Sequence, residues 1–215
     1  MKYKAIIFDL DGVLTHTDQY HFQAWKELAD ELGIPFDEKV NHQLRGISRM
    51  DSLEVILRSY PGELPKDKKK YAEQKNQRYR ELLSAMTPQD LEPEVKETLE
   101  ILRQRGYKMG VGSSSKNARY ILEKLGLEDF FDGVVDGNDV VQTKPDPEVF
   151  LKASRLLGVA PEQCLVIEDA KAGVEAALGA GMDCAGIGDA VDHPQATYSL
   201  NHLSEIIHVL EKESG

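Results

Sequence analysis

The chain has 215 residues, 41% hydrophobic and 29% charged, and its 26 basic against 37 acidic side chains leave a formal net charge of −11. That length suits one large domain or a domain carrying a smaller insertion, and the acidic balance excludes a surface generally built for nucleic acid, which needs a basic stripe. No apolar run approaches the roughly 20 residues that span a bilayer, and the expectation is a cytoplasmic protein without a secretory signal, its two cysteines, Cys164 and Cys184, reduced in the core.

Ala5-Ile6-Ile7-Phe8 is a short apolar run ending at Asp9, the pattern of a parallel strand buried on both faces. The stretch from 16 to 88 then holds helical patterns and no convincing strand. Phe22, Trp25, Leu28, Ala29 and Leu32 form one stripe, stopped by Gly33 and Pro35, and Leu53, Ile56 and Leu57 form another. After a loop at 61–65, residues 66–84 predict a charge-dense helix containing Tyr71, Tyr79, Leu82 and Leu83. From Pro93 onward strand and helix alternate. Helical faces at Val95/Leu99/Leu102, Ala118/Ile121/Leu122/Leu125, Val149/Phe150/Ala153/Leu157 and Val174/Ala177/Leu178 separate strand-like runs at 108–112, 133–136 and 164–168. A final amphipathic helix lies within 199–213. The expected fold is α/β, a doubly wound, Rossmann-like parallel sheet (1–15 and 89–215) with an inserted all-helical cap (16–88).

Open α/β sheets bind ligands beyond the carboxyl ends of their strands. Asp9 and Asp11 follow the first strand, two residues apart on one side of an extended chain. Ser113-Ser114-Ser115-Lys116-Asn117 follows the second, Lys144-Pro145-Asp146-Pro147 precedes a helix, and Glu168-Asp169 ends a later strand. Each alone has an ordinary explanation: a strand-end turn, a solvated loop, a surface turn, a helix N-cap. Their conjunction at successive strand ends does not. Crowded carboxylates repel unless a cation joins them, and hard oxygen donors with open positions suit Mg²⁺ and a substrate phosphate. The hydroxyls, the free N–H groups of a helix start and the lysine suit phosphoryl oxygens. One aspartate would attack phosphorus. The other would protonate the leaving oxygen, its pKa raised by the neighbouring negative charge.

The order FDLDGVL (8–14), GVGSSSK (110–116), TKPDP (143–147) and VIEDAKAG (166–173) resembles the haloacid dehalogenase superfamily of phosphotransferases over nearly the whole chain. Within the helical insertion, residues 20–26, 45–52 and 74–79, with Ser115-Lys116-Asn117 in the core loop, resemble the β-phosphoglucomutase family. That resemblance implies interconversion of β-D-glucose 1-phosphate and glucose 6-phosphate through β-glucose 1,6-bisphosphate, which also serves as priming activator. It implies Asp9 as nucleophile and Asp11 as general acid/base. Mg²⁺ would be held by Asp9, Glu168, Asp169 and the Asp11 backbone carbonyl. Ser113, Ser114 and Lys144 would hold the transferring phosphoryl group, and His21 and Lys75 would position the sugar and Asp11. Arg49 would grip the other phosphate, as a guanidinium fork does well. Ser115, Lys116 and Asn117 would serve the distal phosphate or the sugar, and Thr17 the hinge.

The sequence departs from the family pattern at His16, where an acidic residue is expected, at Met50, where a charged one is usual, and at Gly112, where alanine is common. His42, His193, His202 and His208 show no partner pattern and read as surface or core-edge residues. Two other functions compete: a Mg²⁺-dependent sugar-phosphate or phosphoglycolate-type phosphatase on the same core, and a phospho-accepting switch, against which the insertion and Asp11 argue. The expected partner is a small sugar phosphate met by a monomer, with no nucleic acid and no membrane.

Overall fold

The computed structural model describes residues 2–44, 47–62 and 67–213. Arg45, Gly46 and residues 63–65 of the predicted loop lie outside the described residues. Strand β1 (Ala5–Phe8) sits at the centre of a parallel sheet. It pairs on one side with β2 (Lys108–Gly112) and on the other with β4 (Cys164–Glu168), so that Phe8 stands in register with both Val111 and Ile167. β3 (Gly133–Val135), β5 (Asp183–Gly186) and β6 (Tyr198–Ser199) complete the order β3-β2-β1-β4-β5-β6.

Period-two alternation divides this sheet between two cores. Ile6, Phe8, Met109, Val111, Leu165 and Ile167 face one side, which is covered by α5 (Pro93–Gln104), α6 (Ala118–Lys124) and α9 (Ile206–Lys212). Ala5, Ile7, Val166 and Cys184 face the other, under α7 (Glu148–Leu157) and α8 (Lys171–Gly179). Each fully buried Ile or Phe contributes about 1.5–3 kcal/mol over exposure, which is why these strands read as continuous apolar runs.

Between β1 and α5 the chain forms α1 (Asp18–Glu31), α2 (Glu38–His42), α3 (Arg49–Leu57) and α4 (Lys68–Leu83). Trp25, Leu28, Ile34, Phe36, Leu53, Ile56 and Ala72 build a core of their own there. Three of these helices begin on a side-chain cap: Asp37, Ser48 and Asp67 accept from the backbone N–H three residues on, about 1 kcal/mol each. Arg49 is the first residue of α3. The Ser48 cap with Asp51 at the third position is the signal that marked the helix start.

The four strand-like runs of the sequence leave out β5 and β6. Asp183-Cys184-Ala185-Gly186 has small side chains and an acidic start, and β6 is a two-residue edge strand. Both are held by neighbours rather than by their own pattern. Short α2 was also missed. Among the described residues, no helix is long and apolar enough to cross a membrane.

Candidate active site

The strand order reverses between β1 and β4, and ligands of doubly wound sheets bind in the crevice at that point. Asp9 follows β1 there, and Glu168 ends β4 with Asp169 next to it. All three are buried, with a carboxylate oxygen of each within 4.8 Å of the others. Lys144 is buried beside them and donates to Asp9 Oδ1 at 2.6 Å and to Glu168 Oε2 at 2.9 Å. Burial opposes its charge, but the carboxylates of Asp9 and Glu168 outweigh that and hold the ammonium above its ordinary range.

Glycine makes the crowding possible. Gly12, at φ +85°, leaves no room for a side chain: a Cβ there would lie 2.1 Å from Asp169 Oδ2. A Cβ on Gly173 would lie 2.0 Å from the Glu168 carboxyl carbon. The unusual Gly112 has a packing reason as well, since a Cβ would meet the Phe150 ring at 2.8 Å.

Glu168 and Asp169 are both pushed well above the ordinary carboxylate range, first by burial and then by nearby negative charge, from Asp9 for Glu168 and from Glu168 and Asp9 for Asp169. Three hard-oxygen donors converging where ionisation is penalised form a donor set that fits Mg²⁺. The sign follows from linkage: each raised pKa costs stability as pH climbs from the unfolded carboxylate value toward the folded one. A divalent cation relieves that cost only where the groups ionise. Mg²⁺ at about 100 times its Kd is therefore expected to stabilise the fold by about 2.7 kcal/mol, or roughly 5–10 °C in Tm. The shift should be larger near pH 8 than near pH 5 and be reversed by a chelator. Calorimetry at the two pH values checks this; a shift that grows toward acid would remove the metal assignment.

Asp11 is pushed up to about 7, first by burial and second by the Asp9 carboxylate, against the Thr17 hydrogen bond that lowers it. Neighbouring charge, expected from sequence to be the cause, ranks behind burial. Thr17, at the N-cap of α1, makes no capping bond; its hydroxyl donates to Asp11 Oδ1 instead. A cap worth about 1 kcal/mol is forgone to orient one carboxylate.

After β2, Ser113 Oγ accepts from the Ser115 N–H at 3.1 Å and Ser115 Oγ from the Asn117 N–H at 3.2 Å, which folds the serine loop into a tight turn. Above it, α1 supplies His21 and α4 supplies Lys75. Lys75, buried, bonds His21 Nδ1 at 2.8 Å and stands 4.8 Å over the Trp25 ring and 4.4 Å over the Tyr79 ring, while His21 stacks on Tyr79 with centroids 4.0 Å apart. Burial, then the Lys75 and Arg49 cations, hold His21 well below its usual pKa, so the ring is neutral. Burial and Arg49 likewise lower Lys75.

These groups surround one cavity of about 450 Å³. Asp9, Asp11, Asp169 and Ser113 through Asn117 line it from the sheet side, and His21, Arg49 and Lys75 from the helical block. Thr17, Lys144 and Glu168 lie behind that wall, with Thr17 bonded to Asp11 and Lys144 to both Asp9 and Glu168. Met50 lies at the same cavity, 39% exposed. Tyr79 joins these groups without a role implied by the sequence. Its buried hydroxyl, beside Thr17, has no partner in hydrogen-bond geometry, and the residue lines the cavity. Its spacing of four from Lys75 on α4 was the available signal. Elsewhere, His42, His202 and His208, read as surface or core-edge residues, are exposed and sit 3.3–3.8 Å from Asp189, Glu94 and Glu211, and both cysteines are buried and free.

A family model described as haloacid dehalogenase-like hydrolase matches residues 3–181. The β-phosphoglucomutase of Bacillus subtilis is 45% identical over 86% of this chain and 83% of its own. A phosphorylated carbohydrates phosphatase of Thermotoga maritima is 34% identical over 84% and 82%. The crystal structure of β-phosphoglucomutase from Clostridium difficile superposes with a TM-score of 0.91 at 37% identity, covering 99% of this chain and 97% of that one.

Proposed function

We propose that this chain, which belongs to the haloacid dehalogenase-like hydrolase family, is a phosphomutase interconverting β-D-glucose 1-phosphate and glucose 6-phosphate. The observation that carries the reading is the two-sided cavity. A carboxylate nucleophile paired with Lys144 lies on one side, and His21, Lys75 and Arg49 on the other. A substrate with a phosphate at each end suits that arrangement, and a hydrolase acting through water needs only the first half. The likeness to the Bacillus subtilis mutase points the same way.

In this reading residues 16–88 act as a cap over a core formed by 1–15 and 89–215. Asp9 carries the phosphoryl group as an aspartyl-phosphate. A sugar 6-hydroxyl attacks phosphorus in line; the new O6–P bond forms as the Asp9 O–P bond breaks, and Asp11 takes the hydroxyl proton. The resulting β-glucose 1,6-bisphosphate turns end for end. Asp9 then attacks the phosphorus on carbon 1, the O1–P bond breaks, and Asp11 returns its proton to O1. A pKa near 7 lets Asp11 serve in both directions. Asp9, Glu168 and Asp169, with the Asp11 carbonyl, would hold Mg²⁺, which when bound would supply positive charge to the phosphoryl oxygens. Lys144 and the Ser113 and Ser114 hydroxyls hold the same group throughout. The cap excludes water and orients the acceptor hydroxyl, which is worth roughly 7–11 kcal/mol in good geometry. We read the enzyme as a cytoplasmic monomer whose partner is the sugar phosphate.

The distal phosphate falls to the start of α3. Ser48, Arg49 and Ser52 line the cavity there, where free backbone N–H groups and the helix dipole already favour an anion. Arg49→Ala is expected to raise the KM for sugar phosphate at least about tenfold and leave Mg²⁺-induced stabilisation unchanged. If the metal dependence moves and the sugar kinetics do not, the assignment of Arg49 is wrong.

The deciding experiment is one incubation with β-glucose 1-phosphate, Mg²⁺ and a trace of β-glucose 1,6-bisphosphate, with glucose 6-phosphate and inorganic phosphate measured together. Glucose 6-phosphate in excess supports the mutase. Phosphate alone would make the enzyme a phosphatase, as the Thermotoga maritima relative is named.

A further inference from the structure

We infer that Asn76 and Arg80 are positioning residues: by holding Asn117 they fasten α4 to the loop after β2, and so set how well a sugar competes with water for the phosphoryl group. The inference rests on the phosphomutase reading above. Asn76 and Arg80 lie one turn apart on α4 and share a face. Asn117 Nδ2 donates to Asn76 Oδ1 at 2.8 Å, and Arg80 Nη1 donates to Asn117 Oδ1 at 3.2 Å. Both functions of one buried amide are thus engaged by the helical block.

The local sequence offered Asn117 a different use. It occupies the N-cap position of α6, where asparagine is among the best residues, yet its side chain makes no capping bond. The amide has been turned from its own helix toward α4. The contact continues along both helices. The Arg80 guanidinium lies 4.2 Å from the Tyr120 ring centroid, and one turn further Lys124 Nζ donates to the Ser84 carbonyl at 3.4 Å.

These hydrogen bonds run beside an apolar contact, in which Tyr79 and Leu83 of α4 share one core with Ala118, Ile121 and Leu122 of α6, so burial brings the two elements together and the polar groups, being directional, fix how they meet. Asn117 also lines the cavity, three residues from Ser114. Closing the seam therefore fixes the phosphoryl-binding loop relative to α4, which carries Lys75. An asparagine amide can donate twice and accept twice, so Asn117 keeps capacity for a ligand while fastened.

The test compares wild type with Asn76→Ala, Arg80→Met and the double variant on β-glucose 1-phosphate with Mg²⁺ and a trace of bisphosphate. The ratio of inorganic phosphate to glucose 6-phosphate is read, together with KM and Tm. The double variant is expected to raise that ratio about tenfold, the equivalent of losing these hydrogen bonds in the closed state only, with Mg²⁺-induced stabilisation unchanged. Asn76→Asp, which keeps the acceptor oxygen, should restore it relative to Asn76→Ala. A lowered Tm with an unmoved ratio, or a raised KM with an unmoved ratio, overturns the inference: the first leaves only a structural contact, the second only a ligand role for Asn117. Wild type that makes no glucose 6-phosphate overturns the phosphomutase reading and this inference together; glucose 6-phosphate with an unmoved ratio in the variants overturns this inference alone.

Discussion

Asp9→Asn is expected to abolish turnover, by at least about 10⁴-fold, with the fold intact. An amide oxygen is too weak a nucleophile to form the acyl phosphate, and the proposed reaction has no route to a bisphosphate without it. The fold should survive because the change removes negative charge from a crowded site. Lys144 keeps its bond to Glu168, and asparagine still offers an oxygen to the ammonium. Glu168 and Asp169, both raised in part by Asp9, lose one source of repulsion, so Tm should stay level or rise. Acid-quenched enzyme examined by mass spectrometry should carry a phosphoryl group in the wild type and none in the variant. Mutase activity retained in Asp9→Asn would falsify the covalent mechanism.

Lys144→Met is expected to damage both stability and catalysis, and by a different route. Its ammonium bridges Asp9 and Glu168, and all three groups are buried. Removing one partner of a buried pair leaves the other charge uncompensated, at a cost of about 3–5 kcal/mol, or roughly 10 °C in Tm for a chain of this size. The defect should depend on pH in one direction. Lys144 has its pKa raised, so its own contribution is fully present below the ordinary ammonium value and is lost only above the raised one. The remaining pH dependence belongs to Glu168, already raised by burial and Asp9. Without the ammonium its pKa rises further, and its ionisation costs more as pH climbs past the unfolded carboxylate value. The loss of Tm should therefore be large near pH 8 and shrink near pH 5, where the carboxyl takes a proton instead. Turnover should fall about 10³-fold, since a preorganised cation facing developing charge is worth several kcal/mol in a buried site. A Tm deficit independent of pH would mean that Lys144 packs rather than pairs.

Several site features lie in the sequence because they are strictly local. A strand buried on both faces reads as an unbroken apolar run, and a doubly wound sheet binds its ligands just beyond the carboxyl end of such a strand. Asp9, Asp11, Ser113 and Glu168 could therefore be picked out before any coordinates. The start of α3 is legible too, from Ser48 and Asp51. β5 and β6 had no such signal. They are short, and their place depends on β4 being there to pair with.

The sequence by itself determined the reaction type, through four segments whose order and residue types match one superfamily, and the alternation that makes an α/β core. The tertiary structure decided what depends on distance and burial. It brought Lys144 between two carboxylates 135 and 24 residues away, made burial the leading cause of the raised Asp11 pKa, left the Tyr79 hydroxyl unpaired in the cavity wall, and turned Asn117 from its own helix to α4. The physical reason is range. Strand and helix patterns report neighbours within a turn or a pleat, whereas desolvation, ion pairing and the choice between a local cap and a distant partner depend on which remote segment folds against the residue.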